Sequence, residues 1–153
     1  MSLRAQAQWR DFDRARSLYA QAEDEVHHRH LPEAIEHLEQ VIHLCPDYLA
    51  AWDLLAHCYL LSKQPDRAIE VLQEACRVHP GISQFRTTLG LVYVRLEQPE
   101  KAIEQFDAAM KLDPIDPMPA RLKQSLSKSA QSSVKGPEDG QHGKSDQKAE
   151  HAQ

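Results

Sequence analysis

Glycine is scarce in this sequence, and long hydrophobic runs are absent. The 153 residues include five glycines beside nine prolines, which favours helix over a fold built from strands and tight turns. No stretch approaches the about 20 apolar residues that span a bilayer. The first residues, MSLRAQAQWRDFDRAR, mix acids and bases and lack the apolar core of a signal peptide. We therefore expect a cytoplasmic protein that does not insert into membranes.

Clusters of positive charge, metal motifs and catalytic motifs are missing as well. The formal net charge is −5, and Lys and Arg form no stripe that would neutralise phosphates, so we do not expect nucleic acid as a partner. Cys45, Cys58 and Cys76 are odd in number, follow no metal spacing and lie among apolar residues, so we interpret them as reduced core thiols. No nucleophile with a base, phosphate-binding glycine loop or convergent carboxylate pair is found, and we predict neither enzymatic activity nor a cofactor.

The sequence does contain a repeat of 34 residues. The segments PEAIEHL, QPDRAIEVL and QPEKAIEQF carry Ala-Ile-Glu at this interval. Apolar residues within each unit recur every three or four positions, which is the period of a helix. Pro65 and Pro99 fall where a second helix would begin, while Pro80 and Pro114 fall just after it. Each unit is therefore predicted to form two helices.

The spaced residues of the middle unit resemble the tetratricopeptide repeat. They are Trp52, Leu55, Ala56, Tyr59, Ala68, Leu72, Ala75 and Pro80, and the next unit repeats the pattern with Leu89, Gly90, Tyr93, Ala102, Phe106, Ala109 and Pro114. A weaker copy has Leu18, Ala22, Ala34, Leu38 and Pro46. The resemblance implies an all-α fold, an α-solenoid of antiparallel helix hairpins with repeats at 15–48, 49–82 and 83–116. Small residues such as Ala56 and Ala68 would let neighbouring helices approach closely.

Three further segments complete the predicted organisation. Residues 1–14 are good helix formers and predict an N-terminal helical extension, whereas 117–126, with Ala120, Leu122 and Leu126, predict a capping helix that covers the exposed edge of the last repeat. Residues 127–153 are rich in Ser, Gln, Lys and Gly and nearly lack large apolar side chains, so we expect a disordered tail.

The resemblance implies a concave groove lined by the first helix of each repeat, which would hold an extended peptide or a helix of a protein partner. The corresponding residues are Arg16, Tyr19, Glu23, His27, Asp53, His57, Leu60, Leu61, Gln84, Thr87, Leu91, Val94 and Arg95. Some relatives clamp a C-terminal carboxylate with Lys, Asn and Arg, but the matching positions here are Tyr19, Glu23, Leu54, Gln84 and Thr88. We therefore predict a protein-interaction adaptor that does not capture such a carboxylate, because Glu23 and Asp53 would repel it.

Two alternatives stay open from the sequence. The chain also resembles small cytoplasmic secretion-type chaperones of three repeats, in which case Trp9 and Phe12 of the extension would form a homodimer contact; otherwise these two side chains cover the first repeat as a cap. The histidines of VHHRH, His27, His28 and His30, suggest a metal, but they diverge on a helix and lack ligand spacing. We predict a solvated helix end at this position and no metal site.

Overall fold

The computed structural model describes residues 2–134, which form seven α-helices and no strand. The helices are α1 (Leu3–His27), α2 (Leu31–Leu44), α3 (Leu49–Leu61), α4 (Pro65–Val78), α5 (Ser83–Arg95), α6 (Pro99–Leu112) and α7 (Met118–Val134). They pack mainly against their neighbours in the chain. The predicted all-α solenoid of helix hairpins is therefore confirmed. No helix among these residues is both long and apolar enough to cross a membrane.

Each hairpin turns through a residue in the left-handed backbone region. Arg29, Lys63 and Glu97 have φ values of 65°, 58° and 56°, and they are separated by the repeat interval. In the middle hairpin the Lys63 amide donates to the Leu60 carbonyl at 3.1 Å. Such hydrogen bonds satisfy carbonyls at the end of the first helix of the hairpin.

Small residues at the predicted crossing points are fully buried. Ala22 and Ala56 on the first helices and Ala34, Ala68 and Ala102 on the second helices are all 0% exposed. Larger side chains fill the space between them, and Leu38, Leu72 and Phe106 occupy the same position of successive repeats without any exposure. Because close packing requires these sizes, the recurring Ala positions and the Leu or Phe positions belong to the construction of the fold.

The loop between the first two repeats is held by hydrogen bonds to one carbonyl. Trp52 Nε1 donates to the Pro46 carbonyl at 2.8 Å, and His79 Nε2 lies 2.8 Å from the same oxygen. The three thiols are free, and burial raises the pKa of Cys58 to about 11. This thiol therefore stays protonated and unreactive at neutral pH.

The C-terminal part of the prediction needs correction. The predicted tail began at Ser127, whereas α7 continues to Val134; residues 135–153 of that tail lie outside the described part. Of the residues named for the capping helix, Ala120 is exposed, whereas the adjacent Pro119 is buried. Leu122 and Leu126 pack against the core as expected. At the other end, residues 3–14 and the first helix of repeat 1 form the single helix α1.

Candidate functional site

The first helices of the three repeats, α1, α3 and α5, contribute to one cavity of about 460 Å³. Its walls are formed by Tyr19, Leu49, Ala50, Asp53, Leu54, His57, Ile82, Gln84 and Phe85. Four of these, Tyr19, Asp53, His57 and Gln84, were predicted as groove residues from the repeat alone. The structure therefore brings together side chains that are separated by up to about two repeats in the chain.

Asp53 lines the cavity and is partly buried. Gln84 Nε2 donates to Asp53 Oδ2 at 2.6 Å. The other oxygen, Oδ1, is buried and has no hydrogen-bond partner among the described residues. Burial raises the pKa of the Asp53 carboxyl, while Gln84 and the neighbouring Thr88 hydroxyl act in the opposite direction. The fold therefore stabilises the charged form of Asp53 less well than water would.

Tyr19 forms the α1 side of the cavity. Burial raises the pKa of its phenol to about 12, and the negative charge of Glu23, one turn further along α1, raises it as well. The ring packs against Tyr48 with centroids 4.9 Å apart. Tyr19 is therefore a neutral hydrogen-bonding group with a fixed aromatic face at physiological pH.

The other predicted groove residues do not line this cavity. Leu60, Leu61 and Val94 are partly buried, while Arg16, Glu23, His27, Leu91 and Arg95 are exposed. Leu91 presents 39% of its surface to solvent. Thr87 is a correction to the predicted lining because it is buried, with its hydroxyl donating to the Ser83 carbonyl at 3.2 Å.

Five wall residues were not predicted as groove residues: Leu49, Ala50, Leu54, Ile82 and Phe85. Leu49 and Ala50 lie one turn before Asp53 on α3, so helical periodicity contained a signal for them. Ile82 is the residue that precedes α5, and only the packing of repeats brings such a loop residue to the cavity.

The histidine cluster does not form a metal site in the described part of the chain, where no three His, Cys, Asp or Glu side chains converge. The His28 Nδ1 atom lies 2.8 Å from the Asp24 carbonyl of its own helix. The His27 and His28 ring centroids are 5.5 Å apart and nearly perpendicular. These contacts are local to the end of α1.

A second cavity, of about 590 Å³, lies beside the N-terminal half of α1. It is bordered by Gln8, Trp9, Asp11, Phe12, Leu44, Cys45, Pro46 and Asp47. Trp9 is 57% exposed and Phe12 is 41% exposed, and the Phe12 ring centroid is 6.4 Å from that of Tyr48. Phe12 thus covers part of the first repeat, whereas Trp9 is largely uncovered.

Comparisons with known proteins agree on one architecture. Tetratricopeptide repeat family models match residues 25–81 and residues 83–116. The TPR domain of Sgt2 from Aspergillus fumigatus is 17% identical, with a TM-score of 0.67 and coverage of 90% of each chain. The first TPR of Spaghetti (RPAP3), bound to the HSP90 peptide SRMEEVD, is 15% identical, with a TM-score of 0.66 over 78% of this chain and 95% of that one.

A third solved structure, a double mutant of MamA from RS-1, is 24% identical, with a TM-score of 0.61 over 76% of this chain and 66% of that chain. At these identities the structural likeness shows the fold alone. No curated protein matches the chain by sequence.

Proposed function

Because the chain belongs to the tetratricopeptide repeat family, we propose that it is a protein-interaction adaptor that binds an extended peptide or a helix along α1, α3 and α5. The observation that carries the proposal is the cavity shared by these helices, in which apolar walls surround Asp53, His57 and Gln84. Concave sites of this kind, apolar with a few polar groups, are typical of ligand binding.

We assign the affinity for the partner to one set of residues and the orientation of the partner to another. Leu60, Leu61, Leu91 and Val94 continue the apolar surface beyond the cavity and would supply burial, while Asp53, His57 and Arg95 would orient the partner. Spaghetti was solved with a peptide of HSP90. We do not propose a C-terminal carboxylate as ligand here, because none of the five clamp positions offers a cation, and Glu23 and Asp53 oppose negative charge.

The groove assignment is tested by affinity capture from a cell extract with the tagged chain. Leu61→Asp combined with Leu91→Asp places two charges on the groove, and we expect the captured partner to be lost. Leu112→Asp combined with Ile115→Asp is the matched control, because these exposed apolar side chains lie at the end of α6 and beyond it. Circular dichroism establishes that both variants are folded. An unchanged set of partners with the folded groove variant would refute the assignment.

The exposure of Trp9 favours a second candidate, a secretion-type chaperone that dimerises through its N-terminal extension. Trp9 and Phe12 border a cavity and offer an apolar patch on α1. Light scattering should then give a dimer mass for the full chain and a monomer mass for Trp9→Ala combined with Phe12→Ala. Leu3→Ala is the control, since Leu3 is exposed on the same helix. A monomer before any substitution would remove this candidate.

We also propose that the protein acts in the cytoplasm and without catalysis. The free thiols Cys45, Cys58 and Cys76 support a reducing compartment. The proposal of a binding function rests on the groove, since a fold of stacked hairpins does not by itself specify an activity.

A further inference from the structure

The groove carries a negative charge that the described part of the protein does not neutralise. No Lys, Arg or His nitrogen of those residues lies within 4.0 Å of the Asp53 carboxylate. The groups that hydrogen-bond the carboxylate are uncharged: the Gln84 amide donates to Oδ2 at 2.6 Å, and a hydrogen bond from the Thr88 hydroxyl lowers the pKa of the carboxyl. A cation stabilises a partly buried carboxylate that has no neighbouring positive charge more than it stabilises an exposed one, because less water competes for the interaction.

The charged groups around Asp53 do not supply that cation. Arg16 on α1 forms an ion pair with Asp13, at 3.6 Å, on its own helix. Arg95 is at the opposite end of α5 from Gln84, about 16 Å along the axis. His57 borders the cavity one turn after Asp53, but its nitrogens are beyond ion-pair distance. Glu23 adds a second negative charge near Tyr19.

We propose that the groove selects partner segments that place a lysine or arginine side chain beside the Asp53 carboxylate. This inference rests on the proposed function and adds the chemistry of the ligand. A cationic head group would pair with this carboxylate through a charge-assisted hydrogen bond. The Tyr19 ring offers a face for the same cation. The apolar walls Leu49, Leu54 and Ile82 would cover the aliphatic part of the side chain.

The test is a selection of random peptides displayed on phage, each long enough to span the groove, on the immobilised full chain. We expect Lys or Arg to be enriched at one position of the selected sequences. Selection on Asp53→Asn, which keeps the shape and the acceptor for Gln84, should lose that enrichment. Asp66→Asn removes the same charge from an exposed position in the first turn of α4 and should retain it.

A synthetic peptide from the wild-type selection then measures the effect in solution. We expect Asp53→Asn to weaken its binding about tenfold or more, and replacement of the peptide's basic residue by Gln to weaken wild-type binding comparably. The two changes together should cost little more than either alone. Thermal melting of each variant confirms that it is folded.

The outcomes separate this inference from the function on which it rests. Peptides that bind the groove, lose affinity in the Leu61 and Leu91 double variant, yet show no basic preference would overturn the inference and leave the adaptor function standing. An equal basic preference in wild type and Asp53→Asn would also overturn it. Failure of the wild-type chain to select any peptide would overturn both.

Discussion

At the scale of single residues, the distance between the two helices of a hairpin decides which side chains can occupy equivalent positions of the repeats. Ala22, Ala56 and Gly90 occupy one repeat position, and Leu38, Leu72 and Phe106 occupy the position that packs in the same hairpin. The third repeat has glycine at the first of these positions and the larger side chain, Phe106, at the second. A Cβ built on Gly90 would lie 2.5 Å from Phe106 Cε1. The two departures from the pattern therefore compensate each other in volume.

We expect Gly90→Ala to lower the free energy of unfolding by about 1 to 3 kcal/mol, because overpacking against Phe106 outweighs the better helix propensity of alanine. Urea denaturation measures the change. Gly81→Ala is the control, since a Cβ there meets nothing within 4 Å, and it should change stability by less than about 0.5 kcal/mol. Adding Phe106→Leu to Gly90→Ala recreates the pair of the other repeats and should recover part of the loss. A neutral Gly90→Ala would contradict this packing.

Asp53 provides a second prediction at this scale. A partly buried charge that serves ligand binding should lower the stability of the ligand-free fold. Burial raises the pKa of this carboxyl in the folded state above its unfolded value. The folded state therefore binds the proton more tightly, and the charged form destabilises the fold as pH rises through the folded pKa. We expect Asp53→Asn to stabilise the fold at pH about 7, by less than about 1 kcal/mol since the carboxyl is partly solvated.

The advantage of Asp53→Asn should disappear as pH falls below about 4, where the carboxyl is protonated in both states. Denaturation midpoints at the two pH values measure it. Asp66→Asn should instead lose a few tenths of a kcal/mol at neutral pH, because Asp66 interacts favourably with the N-terminus of α4. If Asp53→Asn were destabilising at neutral pH, the carboxylate would be a structural group.

At the scale of helices and turns, proline marks the boundaries that the sequence predicts well. Pro65 and Pro99 begin α4 and α6, as their missing amide allows. The repeat interval also relates Tyr19 to Asp53, and both line one cavity because equivalent positions of stacked hairpins lie side by side. Ile82 could not be found in this way, since it lies in a loop whose position depends on packing.

Two predictions at this scale differ from the structure for a related physical reason. Thr87 was assigned to the groove by its position in the repeat, and Ser127 to a disordered tail by the composition of residues 127–153. In the structure Thr87 donates to the Ser83 carbonyl, and Ser127 donates to the Lys123 carbonyl at 3.2 Å. A hydroxyl that bonds one turn back along its own helix is satisfied within that helix, so neither the repeat position nor the composition excluded the burial of Thr87 or the continuation of α7.

The left-handed turn residues are another feature that composition hides, because none of the three is glycine. We expect Glu97→Gly to raise the free energy of unfolding by up to about 1 kcal/mol, through relief of the φ of 56°. Glu104→Gly is the matched control at an exposed position inside α6, and it should lower stability by about 1 kcal/mol. Thermal melting distinguishes the signs, and equal losses in both variants would show that the turn is unstrained.

At the scale of the whole molecule, burial is concentrated in the middle of the stack. Six residues are buried in α3 and six in α5, whereas α1 contributes Ala15 and Ala22. Because each hairpin covers only its neighbours, an element at either end of the stack has one packed face. Most walls of the candidate groove belong to α3 and α5, so we expect these walls to be more rigid than the ends of the solenoid.

This distribution predicts how native-state hydrogen exchange divides the chain. Amides of α3 to α6 should exchange only through global unfolding, while those of α1 before Ala15 and of α7 after Leu126 should exchange on the order of a hundredfold faster through local opening. Leu72→Ala supplies the control, because a cavity at this fully buried site lowers global stability by about 2 to 5 kcal/mol. It should accelerate exchange in the middle helices and leave the ends unchanged. Equal protection of ends and middle would mean that the stack opens as one unit, and the groove would then be no more rigid than the extension that carries Trp9.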